Sequence, residues 1–195
     1  MSETVNLPPP DTLGGPPLAL ALGQRRSVRA FSARELAWSE IGQLLWAAQG
    51  ITDEASGLRA APSAGALYPL EIDVATRGGV FRYRPMRHAL ERRVARDVRA
   101  GLADAALEQT FIAAAPCVFS IAAVAARTTR KYGARGARYV HMEAGHAAQN
   151  LLLQAQALGL AGVPVGAFDD EAVARVLSSA RDEEPLYLLP VGWPS

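Results

Sequence analysis

The chain has 195 residues, half of them apolar and a fifth charged, with 20 basic side chains against 19 acidic ones. That length suits one domain burying roughly 70% of the surface its unfolded form exposes, so neither disulfides nor a structural metal is needed to hold it together. The even charge balance excludes a general pull toward nucleic acid or an anionic membrane, and any anion site must be local.

Residues 1 to 17 carry Pro8, Pro9, Pro10, Pro16 and Pro17 with Gly14 and Gly15, a composition that excludes a regular element and predicts an extended arm. Glu3 stands where a signal peptide would carry positive charge, and the apolar stretch Leu18 to Leu22 is too short for a signal core. With no apolar run near the ~18 residues of a membrane span, a soluble cytoplasmic protein is expected. The domain proper is expected to run from residue 18 to 195.

A short helix is predicted over Leu18 to Gln24, followed by Arg25-Arg26-Ser27-Val28-Arg29. Three guanidinium groups around one hydroxyl can make bidentate, charge-assisted bonds to a phosphate, although a solvated basic loop would look the same. Ile41, Leu44, Leu45 and Ala48 fall at i, i+3, i+4 and i+7 and predict an amphipathic helix that Gly50 ends. Pro62-Ser63-Ala64-Gly65-Ala66-Leu67-Tyr68-Pro69 reads as a loop or short helical turn whose small residues let backbone amides approach a flat ligand. Leu70 to Thr76 and Val80 to Arg84 read as strands of a hairpin turned by Arg77-Gly78-Gly79.

One or two helices are expected over residues 96 to 114, then a buried strand over Val118 to Ala125, although that run could also be helical. Cys117 sits in the apolar run before it and reads as a core thiol, and a lone cysteine excludes an internal disulfide. Thr129 to Gly136 reads as a loop flanked by glycines. Within it stands Lys131, the one lysine in a chain that otherwise uses arginine, beside Tyr132. Lysine is the basic side chain that burial or a neighbouring cation can turn into a general base.

The longest helix is expected from about Ala137 to Leu158, capped by Gly159. Glu143 and His146 have the Glu-x-x-His spacing of di-iron bundles, but the sequence has no second copy, so His146 reads as a packing histidine and no metal is expected. Val163-Pro164-Val165-Gly166-Ala167-Phe168 leads to Asp169, which caps a helix to about Ser178 and leaves backbone N–H groups free near the turn. Pro185 to Val191 forms the last strand. Hairpins mixed with long helices give an α+β class. Neither a Rossmann glycine motif nor a Walker motif is present.

In this order, the segments resemble the nitroreductase superfamily, in the SagB-type branch that holds the azoline (thiazoline and oxazoline) dehydrogenases. The likeness runs from Leu18 to Gly192 and rests on Arg25-Arg26-Ser27-x-Arg29, Pro62 to Pro69, Glu143 to Leu151, Pro164 to Asp169 and Pro185 to Gly192. It implies a mixed, mainly antiparallel sheet flanked by helices, in an intertwined homodimer with FMN at the interface. By the same resemblance, Arg25, Arg26, Ser27 and Arg29 hold the phosphate. Pro62, Ser63, Ala64, Gly65 and Leu67 contact the flavin from the partner subunit, and the backbone of Pro164, Val165, Gly166 and Ala167 faces the ring.

Lys131-Tyr132 matches that branch's catalytic pair, which implies oxidation of azolines to azoles. The alternatives are an NAD(P)H-dependent nitro- or quinone reductase and a flavin-binding protein without turnover. The chain departs from the pattern in two places. It carries Trp193 near its end where many members have a basic residue, and about 17 residues precede the domain where peptide-modifying relatives carry more. A small-molecule substrate, or a modified peptide brought by a partner, is therefore expected.

Overall fold

The structure is a computed structural model and describes residues 3–195; Met1 and Ser2, part of the predicted arm, lie outside the described residues. In chain order it contains β1 (Thr4–Asn6), α1 (Leu18–Gln24), α2 (Trp38–Gln49), β2 (Ile51–Asp53), β3 (Leu58–Arg59), β4 (Leu70–Thr76), β5 (Gly79–Arg84) and β6 (Ala89–Val94). There follow α3 (Arg99–Ala105), α4 (Phe111–Ala114), β7 (Cys117–Ala123), α5 (Ala126–Tyr132), α6 (Arg135–Ala157), β8 (Ala161–Gly162), α7 (Asp170–Leu177) and β9 (Glu184–Gly192).

Seven strands form one sheet in the order β1-β6-β5-β4-β7-β9-β8, and every neighbouring pair is antiparallel. β2 and β3 make a separate small hairpin. The class is the α+β layout that the mix of hairpins and helices predicts. Because side chains alternate across a strand, neighbouring residues of β7 serve opposite cores. Phe119 and Ile121 pack with Leu44 and Leu45 of α2 and Ala147 and Leu151 of α6, whereas Val118 packs with Leu102 of α3 and Val173 of α7. β7 is buried along its whole length, hence the unbroken apolar run that left strand and helix undecided. Cys117 is a core thiol; burial pushes its pKa up, and its Sγ donates to the Val191 carbonyl at 3.5 Å.

Two expectations need correction. The proline-rich arm does contain a regular element: Thr4–Asn6 pair with Glu91, Leu90 and Ala89 at the sheet edge, ahead of the first proline. From there Leu7 N–H donates to the His88 carbonyl at 3.1 Å, and the Gln43 side chain exchanges two bonds with the Asp11 backbone. The predicted loop at 129–136 is mostly helix, because α5 runs through Tyr132 and Gly133 ends it with φ +56°. α6 begins two residues earlier than predicted, at Arg135. A Cβ on Gly136 would come within 2.7 Å of Thr129 Cα, so that glycine is what lets α6 cross α5 so closely.

The polar side chains of the α3/α7 face are tied together. Arg82, almost fully buried, donates to both oxygens of Asp73 and both of Glu183 at 2.7–2.9 Å and to Glu71 at 2.9 Å. Arg93 adds bonds to Asp73 and Glu183, and Arg127 of α5 pairs with Glu71. Three arginines thus meet three carboxylates, and the network anchors α5 to the sheet.

Candidate functional site

The candidate residues gather in two groups, and a single chain does not join them. The first lies beside β8. Ser27 forms a parallel bridge with Gly162, and Val28 N–H donates to the Gly162 carbonyl at 3.2 Å, which brings the arginine segment alongside Pro164 to Ala167. Arg29 reaches over the Phe111 ring, 5.5 Å from its centroid. Arg26 is already engaged: its Nη1 donates to the Gly23 and Arg25 carbonyls at 3.0 and 2.8 Å, satisfying the open end of α1. Arg25 and Arg29 make no ion pair among the described residues.

In the turn before α7, the Val165 N–H is not free as the sequence suggests. It donates to the Leu188 carbonyl at 2.8 Å, and the Leu188 N–H returns the bond at 3.0 Å. Gly166 and Ala167 stay exposed, and the Ala167 carbonyl accepts from Gln109 at 3.1 Å. Asp169 caps α7 as expected, its carboxylate accepting from Ala172 N–H at 2.8 Å.

The second group forms where the Pro62–Pro69 segment meets α5 and α6. Ala64–Ala66 make a single 3-10 turn in which Gly65 has φ +64°. A Cβ on Gly65 would stand 2.8 Å from Tyr132 Oη and 2.9 Å from Lys131 Nζ. The polar ends of the lysine and the tyrosine therefore converge on one point above a residue without a side chain. Lys131 Nζ is 5.4 Å from the centroid of the Tyr132 ring, and Tyr132 packs edge-on against Tyr139 of α6 at 5.2 Å. One turn before Lys131, Arg127 donates to the Tyr68 carbonyl at 3.2 Å.

Sequence reasoning missed Arg59 and Gln49, which support this turn together with Ser63. Ser63 Oγ accepts from Tyr68 N–H at 2.9 Å, and Arg59 N–H donates to Tyr68 Oη at 3.0 Å. The Arg59 side chain stacks on the Tyr68 ring and donates to Gln49 Oε1 at 3.2 Å; Gln49 Nε2 in turn donates to Glu143 at 3.2 Å. Burial pushes the Glu143 pKa up, against the opposing pull of Ser63, Gln49 and Arg59. The signal in the sequence was Gln49, a polar residue following the apolar stripe of α2 and almost fully buried. The metal-like pair separates: Glu143 turns inward, while His141 and His146 are exposed, so His146 is not the packing histidine expected.

Each group leans on a different half of α6. Gln24 meets Gln156 near its C-terminal end, whereas Gln49 meets Glu143 nearer its start. Thirteen residues separate those two contacts, about 20 Å of helix.

The sequence profile of the nitroreductase family matches residues 22–193. The chain belongs to the nitroreductase family. A Methanocaldococcus jannaschii protein bearing a provisional nitroreductase name is 48% identical, over 98% of each chain. A Ralstonia eutropha crystal structure, also provisionally named a nitroreductase, superposes with a TM-score of 0.91 at 30% identity, over 98% of this chain and 90% of that one. The Escherichia coli microcin synthetase complex, with a truncated pro-peptide bound, contains a chain matching at TM-score 0.75 and 25% identity, over 85% of this chain and 67% of that one. The family's sheet and helices are those described above, and no described helix is long and apolar enough to cross a membrane.

Proposed function

We propose that this nitroreductase-family chain is an FMN-dependent oxidoreductase of the SagB type, oxidising azoline rings to azoles. The observation that carries the reading is the convergence of Lys131 Nζ and Tyr132 Oη above Gly65. A reductase taking hydride from NAD(P)H needs no base at that point, whereas removal of a ring proton does. The match to a chain of the microcin synthetase complex supports the same reading.

The residues fit the flavin. Gly65 offers a flat bed that a single Cβ would fill, and Arg25 and Arg29 hold guanidinium groups free of protein carboxylates for a phosphate. FMN, when bound, supplies the two-electron acceptor that no side chain here can provide. The chain's own residues handle the proton. Tyr132 Oη, assisted by Lys131 Nζ, takes it from the azoline ring, and Tyr139 fixes the Tyr132 ring. Because the arginine segment and the Lys131–Tyr132 pair lean on different halves of α6, one complete site draws on two copies of the chain, which makes the working unit a homodimer.

The test is the visible spectrum of the purified protein, anaerobic addition of NADPH, then an azoline peptide. A flavin spectrum that azoline substrate bleaches, with Lys131→Ala and Tyr132→Phe each slowing that step by about 10²–10⁴-fold, is the expected result. Rapid bleaching by NADPH, unaffected by either substitution, would instead establish a nitro- or quinone reductase, the reading that the name of the Methanocaldococcus relative favours. A flavoprotein indifferent to both would be a binder without turnover.

A further inference from the structure

The turn that carries Gly65 is strained, because Ala66 and Tyr68 join it at φ +53° and +47°, where side chains are rarely found. Something must hold it, and the hydrogen bonds around it run one way. Arginine can only donate, so Arg59 fixes Gln49 with its carbonyl outward and its amide N–H toward Glu143. Ser63 Oγ accepts from Tyr68 N–H and so closes the turn on itself. Tyr68 closes the circuit through Arg59, by its hydroxyl and by the stacked guanidinium. The chain of bonds from Tyr68 through Arg59 and Gln49 thus ends on the Glu143 carboxylate, whose residue is 2% exposed.

We propose that Glu143 is the positioning residue of this site: its carboxylate holds the strained Ser63–Tyr68 turn so that Gly65 stays against Lys131 and Tyr132. The inference rests on the catalytic reading of that pair. A carboxylate accepts from the Gln49 amide at either oxygen, whereas a glutamine can set its own amide hydrogens against that donor. Neutralising Glu143 at constant size therefore releases one side of the turn.

The chain's one lysine makes this measurable without turnover. Reductive methylation with 13C-formaldehyde puts one side-chain resonance on Lys131, beside that of the N-terminal amine, and hydrogen exchange follows the Tyr68 amide. In the full-length protein as purified, Glu143→Gln is expected to speed exchange at Tyr68 by about tenfold or more and to move the Lys131 resonance, while β7 stays protected. Ser63→Ala, which changes no charge, is expected to move the same resonance. Leu151→Ala, a cavity two turns along α6, lowers stability and leaves that resonance in place.

Unchanged exchange at Tyr68 in Glu143→Gln, or a Lys131 resonance that moves in neither variant, would overturn the proposal. If Glu143→Gln fails to fold, Gln49→Leu, which cuts the same chain of bonds at its next link, decides through that resonance. Turnover is scored separately: a fully active Lys131→Ala protein would sink the catalytic reading and leave the exchange result standing.

Discussion

Gly65 and Lys131 compete for the same space: a Cβ on the glycine would stand 2.9 Å from the lysine Nζ. Gly65→Ala therefore meets two penalties. Its φ of +64° costs an alanine about 1–2 kcal/mol, and the added methyl pushes Lys131 and Tyr132 off their common point. The melting temperature is expected to fall by about 2–8 °C, given about 2–4 °C per kcal/mol for a chain of this size. Turnover is expected to fall by about 100-fold, as for a misplaced reacting group. Near-normal turnover would show that the convergence above Gly65 has no part in the reaction.

The arginine segment makes a discriminating pair. Arg29 has no protein acceptor for its guanidinium among the described residues, whereas Arg26 already closes the end of α1. Loss of one charge-assisted bond costs about 1.5–3 kcal/mol, so Arg29→Ala is expected to weaken FMN binding by roughly 10–100-fold. Arg26→Ala is expected to change it by less than about threefold and to act on helix stability instead. Titration of the apoprotein, followed by flavin fluorescence, separates the two. Equal losses would mean that Arg26 leaves its carbonyls for the phosphate.

Much of this was legible in the sequence, and the failures share a cause. The stripe Ile41, Leu44, Leu45 and Ala48, the hairpin around Gly78 and the cap at Asp169 are local signals, and each produced its element. Thr4–Asn6 is a strand because Ala89–Glu91, already paired with β5 on its other side, lies beside it, a relation that no local pattern encodes. Lys131 and Gly65 stood out singly as a rare lysine and a glycine in a motif. That they come together is a tertiary relation, set where α5 packs on the Gly65 turn through Arg127 and the Tyr68 carbonyl. Arg82 sits mid-strand like a solvent-facing residue, yet Glu71 and Asp73 of β4 and Glu183 just before β9 bury it.

That buried cluster dictates an acid response. Burial pushes the Glu183 carboxyl up, but the paired bonds from Arg82, with Arg93 behind them, outweigh it and hold the pKa at about 2. A carboxyl depressed in the folded state stabilises it fully above its ordinary pKa, near 4.5, and loses that contribution as pH falls toward 2. Asp73 runs the other way: burial dominates and raises its pKa, so its effect on stability with pH has the opposite sign. The Glu183 contribution is worth about 1–2 kcal/mol once solvent screening is allowed for. Melting temperature measured from pH 5 down to 2 is expected to drop more steeply in the wild type than in Glu183→Gln. Arg82→Met, which strands Asp73 and Glu183 without their partner, is expected to cost about 3–5 kcal/mol near neutral pH, and less as acid neutralises those carboxyls. Parallel curves for wild type and Glu183→Gln would mean that the acid response arises elsewhere in the chain.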